Sequence, residues 1–323
     1  MEPRLDPAVL HRLTRRLSTV AGAGGAWLRE PLLGVLSRPG KRLRPALVYT
    51  VARLGPAPDE AAAFECATAL ELLHLSSLVH DDLMDCAETR GGQPTLHLTH
   101  GVGGAVLAGD ILAAAGGATV ARVGPVASTA WQDAYLAMCR GQAAEAALRH
   151  HLPKVDECVA VMEGKTATLI GAACRIGAWC GGMPAAWQDA FAAYGVAFGL
   201  VFQLLDDLMD VLSTPRLWGK PVRHDVAQGI YTLPVVLSGL ESAPSEVDTR
   251  AVYRRAREDG VPRALEMLAQ WIQDAWAALW QIAPSPAVEQ LRGLPRRYAT
   301  SVLSRRTAPA HRAFVAGLVG NVI

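Results

Sequence analysis

The sequence predicts an all-α fold, and three observations carry that expectation. Apolar residues recur at i, i+3, i+4 and i+7 over long stretches, the period of a helix. Those stretches are filled with Ala, Leu, Glu, Gln and Arg, which are good helix formers. Alternating apolar and polar runs, the mark of half-buried strands, are almost absent. The chain has 323 residues, 51% hydrophobic and 19% charged, a composition that supports a large core and argues against disorder.

The elements follow in order. The start, "MEPRLDPAVLHRLTRRL", is charged and has no continuous apolar core, so no signal peptide is expected. Helical patterning then dominates 59–80, 127–150, 155–180, 185–212 and 263–282. Several of these stretches are apolar nearly all round, as in the central helices of a bundle. Short Pro-containing stretches, "RLGPAPDE", "HLPKVDE" and "SAPSEVD", read as loops between helices and not as domain linkers. One domain over 1–323 with roughly ten or more helices is expected. The tail from about 298 to 323 ends in an apolar segment suited to packing on the bundle or on a partner.

A formal net charge of +1 gives no bulk reason to expect nucleic acid or an anionic membrane surface as a partner. The most apolar stretch, "GVGGAVLAGDILAAAGGATVARVG", is Gly-rich and interrupted by Asp110, and reads as a buried helix pair and not a membrane span. The six cysteines form no CxxC and no paired spacing, which favours a reduced, cytoplasmic protein.

Against this apolar background the five residues DDLMD occur twice, as Asp81, Asp82 and Asp85 and as Asp206, Asp207 and Asp210. On a helix the first and last aspartate of each copy share a face and repel one another. Burying such a pair without a partner costs several kcal/mol. The pattern makes sense if a cation sits there, and carboxylate clusters select hard divalent ions, magnesium above all where phosphates complete the shell. One DDxxD alone is more often a solvated acidic face. Two copies, both flanked by apolar residues, are a much stronger signal. Basic residues suited to a phosphate surround them: Lys41, Arg42 and Arg44 in "RPGKRLRPALV", Arg90 in "ETRGGQPTLH", Lys165 in "EGKTATLIGAA" and Lys220 in "WGKPVRHDVAQG".

Taken in order, "GKRLRP", the His74 segment, the first DDxxD, the R-x-G-x-P-T stretch, "GKTATL", "FQLLDDLMD" and "GKP…D…G…TLP" resemble the trans-isoprenyl diphosphate synthases (polyprenyl synthetases) from about residue 38 to 235. The resemblance implies an isoprenoid-synthase-type helical bundle around a deep central cavity, and a homodimer. It implies that Asp81, Asp85, Asp206 and Asp210, with Asp82 and Asp207 beside them, hold three magnesium ions on an allylic prenyl diphosphate, which Arg90, Lys165 and Lys220 also bind. Thr166 and Gln203 would direct dipoles at the allylic cation. Lys41, Arg44 and His74 would hold isopentenyl diphosphate, whose double bond attacks that cation. His80, beside Asp81, reads equally as a packed histidine or as a partner of the aspartates, and Phe202 as core.

Two positions depart from the family pattern. Gly91 stands where a second arginine of the isopentenyl diphosphate site is usual, and Ile230 where a lysine is usual. Arg42 or Arg223 would have to compensate if the enzyme elongates. Otherwise the same clamp would serve a terpene cyclase or transfer to another acceptor. A non-catalytic subunit is the third reading, against which both intact aspartate motifs argue. Ser76 and Ser77 lie about one turn before Asp81, where aromatics stop elongation at fifteen carbons in the family. Two small side chains there point to a C20 or longer product, unless they merely bond their own helix.

Overall fold

The structure, a computed structural model of the chain, describes residues 3–38, 40–219, 222–223, 225–241, 243 and 248–322. It is all-α, as expected. In chain order the helices are α1 (Pro7–Ser18), α2 (Gly25–Leu36), α3 (Leu43–Ala52), α4 (Glu60–Met84), α5 (Leu96–Val123), α6 (Pro125–Leu148), α7 (Val155–Met162), α8 (Thr168–Cys180) and α9 (Ala185–Leu212). The short α10 (Pro215–Trp218), α11 (Leu233–Val236) and α12 (Thr249–Arg255) follow, then α13 (Val261–Ala278), α14 (Pro286–Arg292), α15 (Leu294–Arg306) and α16 (Pro309–Val322). The only strands among the described residues are Thr89–Arg90 and Gln93–Pro94, β1 and β2, paired antiparallel. Their turn is Gly91–Gly92, both with positive φ (61° and 77°), the backbone a two-residue hairpin demands.

Contacts gather into two compact units, Pro3–Tyr135 with Ala173–Gln188, and Leu136–Ala172 with Asp189–Ile323. The boundaries fall inside α6, α8 and α9 and not in linkers.

In the first unit α4 is the central helix, packed on α3 and α5. Asp59 caps its start by accepting from the N–H groups of Ala61 and Ala62 at 3.0 and 2.9 Å. Leu70, Leu72, Leu73 and Val79 are buried along it, each worth about 1.5–3 kcal/mol of transfer free energy. Glycines let neighbouring backbones close on one another. A Cβ at Gly177 would lie 2.7 Å from Val48 O, and one at Gly109 would lie 2.1 Å from His80 Nε2. His80 is therefore a packed residue against α5, with Nε2 3.3 Å from Val106 O and 3.7 Å from Asp110 Oδ1.

By length and apolarity alone α4 and α5 pass for membrane spans. The apolar window of α4 is 72% buried inside the protein and that of α5 50%, so α4 is a core helix.

In the second unit α9 runs through the core with Phe191, Tyr194 and Phe198 fully buried. Tyr194 donates to Leu291 O at 2.7 Å. Tyr298 of α15 meets Phe198 edge-on at 5.9 Å and stacks on Phe202 at 5.5 Å. Ala308 N–H donates to Leu212 O at 2.8 Å, and α16 packs on α13. The tail thus packs on its own unit.

The stretch 155–180, patterned as one helix, is interrupted by a π turn at Glu163–Ala167. The cause is backbone crowding. A Cβ on Gly164 would lie 2.9 Å from Ala137 O, one on Gly141 2.7 Å from Lys165 N, and one on Gly199 2.4 Å from Ala167 Cα. Both α6 and α9 therefore touch this turn through glycine, and π bulges of this kind often sit at functional sites.

Candidate active site

The first aspartate motif ends α4. Asp85 is the C-cap, and its N–H donates to Asp81 O at 2.9 Å, which keeps the two residues one turn apart. Asp81 and Asp85 are half-buried, whereas Asp82 is buried and accepts from Arg90 Nε at 2.5 Å. Burial lifts the Asp82 carboxyl above its ordinary value, and Arg90, then Arg38, pull it back down. Arg90, expected on the diphosphate, is in this structure the ion-pair partner of Asp82.

The basic residues expected to hold the acceptor lie in the same unit. Lys41 is exposed and Arg44 half-buried. Arg44 Nε is buried with no hydrogen-bond partner. The half-buried His74 is pushed well below its usual value by loss of water and by the charges of Arg44, Arg42 and Arg90. His74, Arg44 and Arg90 are therefore electrostatic neighbours.

Arg42 behaves differently. It adopts a left-handed backbone (φ 47°, ψ 41°) at the start of α3, an uncommon conformation for a residue with a side chain. Its guanidinium is buried against Glu71 and also donates to Leu36 O and Arg38 O, at 3.3 and 2.8 Å. It is committed to the fold and does not replace the arginine missing at Gly91. Arg38, unremarked in the sequence, stands near both Asp82 and Arg90.

Ser77 Oγ donates to His74 O at 2.9 Å within its own helix, while Ser76 is buried with Oγ unpaired.

The second motif lies on α9, where Asp206 is half-buried and Asp207 and Asp210 are buried. Thr166 donates to Gln203 Oε1 at 2.8 Å, and Gln203 Nε2 donates to Asp207 Oδ1 at 2.9 Å. The glycine contact explains this geometry: Gly199 brings α9 against Ala167, and Gln203 lies one turn further on the same face. Gly141 does the same for α6. One turn beyond it, Glu145 forms an ion pair with Lys165. Burial raises the Asp207 carboxyl well above the usual range. The Gln203 hydrogen bond opposes this, and Asp225, Asp206 and Asp210 add to it.

Asp210 Oδ1 accepts from Arg223 N–H at 2.5 Å and Oδ2 from the Tyr253 hydroxyl at 2.7 Å. Arg223 itself is exposed. Ile230 N–H donates to Asp225 O at 2.9 Å. Lys220 lies outside the described residues.

Glu71, Glu145 and Tyr253 also escaped the sequence reading. The two glutamates carried a signal that applied to the aspartates as well: an acid in an apolar helix needs a partner. Tyr253 carried none, since its contact spans 43 residues.

Among the described residues no three His, Cys, Asp or Glu side chains converge on one point. Magnesium is ordinarily held by one or two carboxylates with the remaining positions filled by water and substrate phosphates. Asp81 and Asp85 in the first unit, and Asp206 in the second, are the partly accessible aspartates, carboxylate donors of that kind.

The family model for polyprenyl synthetase matches residues 25–268. The nonaprenyl diphosphate synthase of Mycobacterium tuberculosis H37Rv is 31% identical over 83% of this chain and 84% of its own length. A (2E,6E)-farnesyl diphosphate synthase of Mycobacterium bovis is 36% identical over 73% of this chain, and the match spans 63% of that enzyme's length. Among solved structures, a polyprenyl synthase from Caulobacter crescentus CB15, complexed with calcium and isoprenyl diphosphate, superposes with a TM-score of 0.82 at 27% identity, over 93% of this chain and 95% of that one. With its helical fold and both aspartate motifs in place, the chain belongs to the polyprenyl synthetase family and is a trans-prenyltransferase of isoprenoid biosynthesis.

Proposed function

We propose that the protein is a magnesium-dependent synthase that condenses an allylic prenyl diphosphate head-to-tail with isopentenyl diphosphate, giving a product of C20 or longer. One observation carries this reading. In each motif the first aspartate is left partly accessible, while its neighbour is buried with an internal partner: Asp82 with Arg90, Asp207 with Gln203. Such a division suits carboxylates that must meet a ligand on a rigid base.

Asp81, Asp85 and Asp206 would hold magnesium. Asp210, whose two oxygens accept from Arg223 N–H and Tyr253, would orient the motif. When bound, the metal neutralises charge on the departing diphosphate. Lys165 and Lys220, with Arg90, would bind the same diphosphate. Glu145, its ion-pair partner, would hold the Lys165 ammonium in place. Thr166 and Gln203, locked to one another and to Asp207, would present fixed dipoles to the allylic cation. Lys41, Arg44 and His74 would hold isopentenyl diphosphate. The support is Arg44 Nε, a buried donor with no partner, which an anion would satisfy. Arg38 joins this set by its nearness to Arg90.

For product length the support is that no aromatic side chain stands one turn before Asp81: Ser76 is small and buried, and Ser77, small and half-buried, is turned back onto His74 O of its own helix. The relatives span farnesyl and nonaprenyl products. A cytoplasmic homodimer belongs to the same reading. Its support is six free cysteines and the exposed apolar residues Leu98, Val102, Val106 and Leu107 on α5.

Purified protein incubated with magnesium, labelled isopentenyl diphosphate and a C5, C10, C15 or C20 allylic diphosphate tests the proposal. Label in a longer prenyl diphosphate is expected. Pyrophosphate released from the allylic substrate alone, with a hydrocarbon or alcohol product, overturns elongation. It would favour a cyclase or another acceptor, the reading that Gly91 at the hairpin tip supports.

A further inference from the structure

A cleft of about 280 Å³ opens in the second unit, bordered by Arg223, Arg250, Arg254 and Arg257, the Thr249 side chain and Tyr253. No acidic side chain lines it among the described residues. The nearby carboxylates have partners of their own. Asp248 caps α12, accepting from Arg250 and Ala251 N–H at 3.1 and 3.2 Å. Asp210 is buried under Tyr253. Glu258, exposed, pairs with Arg257 at 3.1 Å. The His311 imidazole is pushed below its usual value by loss of water and then by Arg257 and Arg223, which marks a positive local field.

Arg257 has Glu258 beside it, but Arg223, Arg250 and Arg254 around the same concavity repel one another unless an anion neutralises them. The guanidinium fork matches phosphate oxygens two at a time. The cleft is large enough to admit a diphosphate.

We propose that this cleft is a binding site for a small phosphate-bearing anion of the size of inorganic pyrophosphate, adjoining the second aspartate motif through Arg223 and Tyr253 but built of arginines instead of carboxylates. The two kinds of site differ in chemistry. An anion meets aspartates only through a divalent metal, whereas an arginine cleft takes it directly. Binding here is independent of metal and does not rest on the identity of the acceptor substrate.

The test is calorimetric titration of the full-length protein with inorganic pyrophosphate in excess EDTA and low salt. Wild type is compared with the double variant Arg250→Ser/Arg254→Ser and with Arg254→Ser alone. Metal-free binding is expected, weakened at least about tenfold in the double variant and by less in the single one, as charge-assisted contacts to phosphate require. The KM for allylic diphosphate with magnesium should stay within about twofold, since neither arginine contacts the motifs. Absent metal-free binding, or equal affinity in wild type and a folded variant, overturns the proposal. A parallel rise in allylic KM overturns it too, because the cleft would then be part of the substrate site. Circular dichroism verifies folding, and the single variant carries the comparison if the double one unfolds.

Discussion

Replacing Glu71 by leucine tests the account of how the basic end of α3 is held. Glu71 and Arg42 are both buried, their side chains only 4% and 6% exposed. Two further guanidinium hydrogen bonds, to Leu36 O and Arg38 O, stay intact in the variant. Leucine fills nearly the same volume, so the main loss is the counter-charge. Breaking a buried pair from one side costs about 3–5 kcal/mol, because the remaining charge stays buried. At about 2.1 cal/mol/K of unfolding entropy per residue, that lowers the Tm of a chain this long by roughly 4–7 °C. Glu71→Gln keeps an acceptor for Arg42 Nη1 and should lose only about half as much. The assay is thermal unfolding by circular dichroism, backed by urea titration. Because Arg42 sits in a left-handed backbone, its release should also loosen the turn that presents Arg44, and raise the KM for isopentenyl diphosphate more than that for the allylic substrate. A Tm within about 1 °C of wild type for Glu71→Leu would refute the reasoning.

Three further outcomes follow from the same geometry. Tyr253→Phe removes the 2.7 Å hydrogen bond to Asp210; it should cost about 1.5–3 kcal/mol of stability and raise the magnesium concentration needed for half-maximal turnover, read by activity titration. The His74 imidazole sits well below its ordinary value because of burial and the neighbouring Arg44, Arg42 and Arg90. The unfolded chain therefore binds the proton first, and stability is full above pH 6.5 and falls as pH drops below it, by up to about 1.4 kcal/mol per pH unit; Glu71 and Asp82, on the same helix, are the carboxylates paired to Arg42 and Arg90 of this group among the described residues. His74→Gln should remove that dependence, seen as converging urea midpoints at pH 7.5 and 5.5. Gly91→Arg restores the family's arginine, but Gly91 has φ +61°, so the variant should lose about 1–2 kcal/mol to backbone strain, measured by unfolding, whatever it gains in isopentenyl diphosphate affinity.

The helical fold was legible because it depends on local periodicity. The stretch 185–212 became α9 over those same residues, and no long-range information was needed. The aspartate motifs were legible because charge in an apolar helix is a physical anomaly visible residue by residue. What each carboxylate does was not. Asp81 and Asp82 are adjacent and chemically identical, yet one is partly accessible and the other is buried on Arg90. That split follows from the direction each side chain takes off one helix, and from the turn after α4 that brings Arg90 of β1 back to it eight residues later.

The same holds for the basic residues. Arg42 and Arg44 looked alike in "GKRLRP", but a left-handed residue at the helix start turned Arg42 inward to Glu71 and left Arg44 with an unpaired donor. The sequence by itself determined the long apolar helices and singled out the two acidic motifs within them. Only the tertiary structure decided which carboxylate stays partly accessible and which faces the core. Periodicity is a property of neighbours along the chain. Partners such as Glu145 for Lys165 or Tyr253 for Asp210 are chosen by glycine-lined contacts and packing between segments far apart in it.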